Sequence, residues 1–145
     1  MKLSDNWFTA LSEDNQGKLV TIHGRDDITA FVESGKFKER VEITWKYEPD
    51  DKGFPVEEVA VQMDNAEQAL KKIMEKDKLA ILTGIYTGDG EKMWVFYTRT
   101  SRVFGERLNE ALLPMELLPI TLYVETDPQW DEYRDMLEMK AWRVD

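Results

Sequence analysis

The sequence predicts an α+β fold: a ferredoxin-like βαββαβ sandwich over residues 40–126, preceded by an N-terminal β-hairpin and followed by a C-terminal helix. Three observations predict it. From Arg40 onward the apolar residues change period in the order two, 3.6, two, two, 3.6, two, which reads strand, helix, strand, strand, helix, strand. Ahead of this unit, two short apolar runs flank a polar turn; after it, Asp127-Pro128 opens a stretch with aromatics at helical spacing. At 145 residues, with 42% apolar content, 5 Trp, 5 Tyr and 6 Phe, the chain fits one domain with a packed core. Its expected parts are a hairpin and short helix over 1–39, the core unit over 40–126, and a terminal helix and tail over 127–145.

The hairpin is Trp7 to Leu11 and Leu19 to Ile22, closed by a turn around Asn15 and Gly17. A short helix follows from Asp27 to Glu33, with Asp26 or Asp27 as cap and Gly35 as stop. Val41, Ile43, Trp45 and Tyr47 alternate with Glu42, Thr44 and Lys46, so one face of this strand is buried and the other wetter. Val56, Val59, Ala60, Met63, Ala66, Leu70, Ile73 and Met74 form one helical stripe, with a second helix starting at Asp64 as the alternative because Val61 falls off the stripe. Leu79 to Tyr86 and Met93 to Tyr97 read as deeply buried strands joined through Thr87-Gly88-Asp89-Gly90-Glu91. Thr100 or Ser101 caps a helix bearing Val103, Phe104, Leu108 and Ala111, which Pro114 ends. Ile120, Leu122 and Val124 alternate with Thr121, Tyr123 and Glu125 to give the last strand.

Charge and composition exclude several function classes. With 19 Lys and Arg against 29 Asp and Glu the net charge is −10, which repels phosphate backbones and anionic membrane surfaces and favours basic protein partners. Cysteine is absent, so there is no disulfide, no thiolate nucleophile and no cysteine metal site. The start, from Met1 to Asn6, lacks the apolar run of a leader, and no segment has the length to span a bilayer, so a cytoplasmic location is expected. An aromatic strand from Met93 to Tyr97 invites comparison with RNA recognition motifs, but it lacks their glycine-bearing pattern, and the charge argues against nucleic acid.

No catalytic signature appears. His23 is the only histidine and stands in no metal-binding spacing, so it reads as a strand residue; Ser4, Ser12, Ser34 and Ser101 lie in no nucleophile motif. The glycines from Gly84 to Gly90 lead into a strand without a phosphate-loop ending, so a hairpin turn accounts for them. No catalytic residue, metal or cofactor is expected.

The segment Asp127-Pro128-Gln129-Trp130-Asp131-Glu132-Tyr133 is the most distinctive local pattern. Asp127 is placed to cap a helix, Pro128 to fill its first position, and Trp130, Tyr133 and Leu137 to share one face. Asp127, Asp131, Asp135 and Glu138 line a stripe beside it, within a stretch (101–145) holding 10 acidic against 5 basic residues. Two readings follow. In the first, the stripe takes a basic protein, and the chain is a non-enzymatic interaction or regulatory module. In the second, Asp127, Trp130 and Tyr133, with Arg99 or Arg102, wall a small-ligand or enzymatic pocket.

Trp7, Gly53-Phe54-Pro55, Trp94-Val95-Phe96-Tyr97 and the DPxWxxY segment ending at Tyr133 together resemble a bacterial family, domain of unknown function 695, over nearly the whole chain. That resemblance implies no reaction and no catalytic residues. The element order, acidity and size are more distantly similar to the regulator of ribonuclease E activity B, which acts by binding an enzyme and implies a protein-binding role.

Overall fold

Period-two runs separated by turn residues fold into β1 (Asn6–Glu13), β2 (Leu19–Asp26), β3 (Glu39–Lys46), β4 (Ala80–Gly88), β5 (Glu91–Thr98) and β6 (Ile120–Thr126). The structure is a computed structural model that describes residues 2–115 and 118–144. Met1 and Asp145, the two ends of the expected organisation, lie outside the described residues. The strands form one antiparallel sheet in the order β1-β2-β4-β5-β3-β6. The helices are α1 (Thr29–Glu33), α2 (Glu57–Glu75), α3 (Ser101–Leu112) and α4 (Asp131–Leu137), and a 3-10 helix (Glu138–Trp142) follows α4. Six strands exceed the four of the expected ferredoxin-like unit, because β2 pairs with β4 and so carries the N-terminal hairpin into the same sheet. None of the helices is long and apolar enough to cross a membrane among the described residues.

Several boundaries differ from expectation, each for a local reason. Helix α2 does not break at Asp64: Met63, Ala66, Leu70 and Met74 bury one unbroken stripe, while Asp64 and Asn65 stay exposed, where their poor propensity costs little. Neither Asp26 nor Asp27 caps α1, which starts at Thr29 after Asp27 turns the chain with φ 59°. Thr100 occupies the position before α3 without a side-chain bond. The free end is met instead by Glu39 of β3, which accepts from the Ser101 amide at 3.1 Å and the Ser101 hydroxyl at 2.9 Å. The β4–β5 hairpin closes through Asp89 (φ 52°) and Gly90 (φ 82°), the two positive values that a type I′ turn requires.

Alternation along the strands feeds two cores. On one side α2 and α3 cover Val41, Ile43, Trp45, Leu82, Trp94 and Phe96 of β3, β4 and β5. On the other, α1 and α4 cover Phe8, Ala10, Ile22, Ile81, Val95 and Tyr97 of β1, β2, β4 and β5. Each fully buried side chain of this size contributes about 1.5–3 kcal/mol. The two helical layers are offset along the sheet. Trp7, Thr9 and His23 of the β1–β2 hairpin lie on the α2 side, and Arg40, Glu42, Tyr123 and Glu125 of β3 and β6 lie on the α4 side.

Candidate interaction site at the β3–β6 edge

On the polar face of β3, pairing with β6 sets Arg40 opposite Glu125, and the turn after β6 returns Asp127 to the same place. Arg40 donates to Glu42 at 2.8 Å, to Asp127 at 2.7 Å and to Glu125 at 2.5 Å. Asp127 is buried and saturated: it also accepts from the Tyr97 hydroxyl at 2.7 Å and from the amides of Asp131 at 2.9 Å and Glu132 at 3.3 Å. Burial opposes its charge, but these donors win and hold its carboxyl below the usual aspartate range. Burial likewise opposes the Arg40 charge, and its hydrogen bond to Asp127 and the charge of Glu42 outweigh it, so the guanidinium holds its proton more tightly than usual. Glu132, hydrogen-bonded by the Tyr86 hydroxyl at 2.7 Å, sits close enough to feel Arg40, Glu42 and Asp127; burial raises its pKa despite that bond. Three carboxylates, Glu42, Glu125 and Asp127, therefore share one guanidinium, with Glu132 nearby, and the corner is net negative.

The last helix divides the residues singled out from the sequence into two sets. Asp127, Trp130 and Tyr133 belong to the interior. Trp130 is 1% exposed, stacks on Tyr97 with ring centroids 4.0 Å apart and donates its indole N–H to the Phe37 carbonyl at 2.8 Å. Tyr133, 3% exposed, donates to the Arg25 carbonyl. The cleft lined by Tyr133 has a volume of about 100 Å³, well below the 300–1,000 Å³ of small-molecule sites. Asp131, Asp135 and Glu138 are exposed. The helix begins at Asp131 rather than Pro128, because Trp130 adopts a left-handed conformation, φ 58°, that turns its ring inward. Arg99 is spent on the carbonyls of Lys78 and Asp77, and Arg102 pairs with Glu106 along α3, so neither joins this segment.

Strand β6 supplies the feature that the sequence alternation did not isolate. It lies at the end of the sheet, paired on one side with β3, and its other edge has no strand partner among the described residues. Its apolar residues are exposed: Leu122 44%, Tyr123 53% and Val124 45%. Beside it an apolar groove of about 540 Å³ runs between α3 and β6, lined by Leu112, Leu113, Met115, Leu118 and Ile120. Leu113 is 82% exposed. A paired edge strand of seven residues with exposed apolar flanks is a template for a further strand. Arg40, Glu42, Glu132 and Tyr86 escaped the sequence reading; the alternating polar face of β3 was the available signal, and it gives no hint that Asp127 lies against it.

A family model described as Family of unknown function (DUF695) matches residues 5–138. No curated protein and no solved structure matches the chain.

Proposed function

The chain belongs to this family of unknown function, and from its sheet edge we propose that it is a non-enzymatic protein-binding module that takes an extended basic segment of a partner protein along β6. The observation that carries this is the pairing of an unpartnered strand edge with a surplus of carboxylates around Arg40. The backbone of β6 supplies the hydrogen bonds of a seventh strand. Leu122, Val124 and the neighbouring groove take its apolar side chains, and Glu125 and Glu42 face its cations. Asp131 and Asp135 on α4 and Glu138 at the start of the 3-10 helix extend the negative field and speed encounter. The order β4-β5-β3-β6, with α2 and α3 on one side, supports reading residues 40–126 as a ferredoxin-like unit that presents this edge.

The test is affinity capture from native lysate at low salt with three proteins: wild type, the triple Asp131→Asn, Asp135→Asn, Glu138→Gln, and the double Leu122→Asp, Tyr123→Asp. Hydrogen exchange of the β6 amides is then measured in the recovered complex. The reading stands if a basic protein is released by salt, is captured more weakly by the triple variant, is lost with the double, and slows exchange in β6. It fails if salt dependence survives the triple change, if β6 exchange is unaltered, or if the edge recovers only a second copy of this chain.

A further inference from the structure

At the opposite corner of the sheet, on the α2 side, a cleft of about 340 Å³ opens between α2 and the strands β1, β2, β4 and β5. Its volume is at the lower end of the range for small-molecule sites, about 300–1,000 Å³, which suits a ligand of few heavy atoms. Ile85, Leu82 and Trp7 give it an apolar wall. The polar lining carries both signs. Lys71 and Lys92 contribute two ammonium groups, Asp5, Asp64 and Glu67 three carboxylates, and His23 an imidazole.

The hydrogen bonds show which of these groups are already used. Asp5 accepts from the Trp7 indole at 2.8 Å, from Lys71 at 2.8 Å and from buried Arg25 at 3.4 Å, so Asp5 and Lys71 neutralise each other. Glu67 accepts from the Trp94 indole at 2.8 Å, while Lys92 reaches it only at 3.8 Å, beyond hydrogen-bond distance. Glu67 and the Trp94 ring, whose centroid is 5.8 Å from Lys92 Nζ, offset part of the Lys92 charge, while its N–H donors remain for the cleft. The Nδ1 atom of His23 is engaged by the Thr9 hydroxyl at 2.9 Å, which leaves Nε2 as its other polar atom. Asp64 is exposed and makes no side-chain hydrogen bond among the described residues. The groups left over are thus a cation with an imidazole on the sheet and a carboxylate on the helix, with an apolar wall beside them.

We propose that this cleft binds a small zwitterion of the α-amino acid class, its carboxylate on Lys92 and His23, its ammonium on Asp64, and its side chain against Trp7, Leu82 and Ile85. With Asp5 and Lys71 paired to each other, a plain anion on Lys92 and His23 leaves Asp64 without a cation, and a plain cation on Asp64 leaves those donors without an acceptor. A ligand with both charges satisfies both sides. This site is separate from β6 and does not rest on the protein-binding reading.

His23 is the only histidine, so its Cε1–Hε1 NMR correlation is a single reporter inside the cleft. The common α-amino acids are titrated in turn at millimolar concentration, with phenylacetate and phenethylamine as single-charge controls. The expected result is a saturable shift of this signal with one or more amino acids, and half-saturation at least about tenfold lower than for either control. Lys92→Met and Asp64→Asn each weaken that binding by about tenfold or more, and Asp64, exposed at the rim, is replaced without disturbing the fold. A His23 signal unmoved by every amino acid overturns the proposal. So does binding of phenylacetate or phenethylamine equal to that of the amino acids, or binding unaffected in Asp64→Asn.

Discussion

Arg40 Nη1 and Asp127 Oδ2 lie 2.7 Å apart although 87 residues separate them in the chain. The pair fastens the strand beside the sheet edge to the turn that enters α4, and the same carboxylate receives the first amides of that helix and the Tyr97 hydroxyl. One aspartate is thus both an ion-pair partner and the cap of a helix, which places the acidic face of α4 in a fixed relation to β6.

Replacing Arg40 by methionine leaves Glu42, Glu125, Asp127 and Glu132 around a site without its cation. Arg40 is only 11% exposed and Asp127 6%, so solvent screens the pair poorly, and the expected loss at neutral pH is about 3–5 kcal/mol in urea unfolding. The sign of the pH response changes as well. In the wild type the depressed pKa of Asp127 gives stability that is present above its ordinary value of 3.8 and is lost as pH falls through the lower native value. In the variant the crowded carboxylates take up protons on folding, so mild acid restores stability; two parallel pH profiles would contradict this.

Glu132 acts in the opposite sense to Asp127. Burial raises its native pKa above the ordinary 4.5, so its contribution is largest below 4.5 and declines as pH rises through the raised value. Glu132→Gln keeps an acceptor for the Tyr86 hydroxyl and removes that decline. The difference in unfolding free energy between variant and wild type is expected to grow in favour of the variant as pH increases from 4.5 to 7; a constant difference counts against it.

Two glycines give opposite outcomes for the same substitution. At Gly24 an added Cβ would lie 2.3 Å from the Phe8 ring and 2.5 Å from the Met136 sulfur, where β2 passes under α4. Gly24→Ala should cost about 1–3 kcal/mol by overpacking. Gly105 stands inside α3 with nothing within 4 Å of the same atom, and Gly105→Ala should stabilise by about 0.5–1 kcal/mol. Thermal unfolding of the two variants should therefore bracket the wild type.

Tryptophans at the two ends of the last segment separate structure from surface. Trp130→Ala removes an indole that is 1% exposed and is expected to cost about 3–5 kcal/mol, whereas Trp142, 72% exposed, is expected to change stability by less than about 0.5 kcal/mol. Equal losses at both positions would show that the stacking of Trp130 on Tyr97 contributes no more to stability than an exposed indole.

What the sequence revealed was whatever depends on neighbours along the chain. The stripe of Met63, Ala66, Leu70 and Met74, the Asp89-Gly90 turn and the alternation in β3 are local patterns, and each element formed where its pattern lay. The features that define the candidate site depend on residues distant in sequence. Glu39 caps α3 from 62 residues away, Arg40 finds Glu125 at a separation of 85, and no spacing rule reaches that far. The DPxWxxY segment stands out in the sequence, but helical spacing cannot distinguish an aromatic facing a core from one facing a ligand. The left-handed turn at Trp130 that settles its place is a tertiary outcome. The exposure of the β6 side chains cannot be read from the alternation, which is that of an ordinary half-buried strand.

The offset of the two helical layers sets the environment of His23, and this gives the last prediction. Its pKa lies below the ordinary 6.5, first because half-burial disfavours the imidazolium and then because Lys92 of β5 repels it, with Glu67 of α2 acting the other way. The other groups lining the cleft with it are Lys71 and Asp64 of α2, Asp5, and Trp7 of β1, while Thr9 of β1 bonds its Nδ1. Lys92→Met should raise the His23 pKa, but leave it below 6.5, because burial remains. Glu67→Gln should lower it further, and the double variant should fall between the two. A titration of the single Cε1–Hε1 signal reads all three directly. A value for Lys92→Met equal to that of wild type would place Lys92 away from the imidazole and remove the cation on which recognition of a carboxylate in this cleft depends.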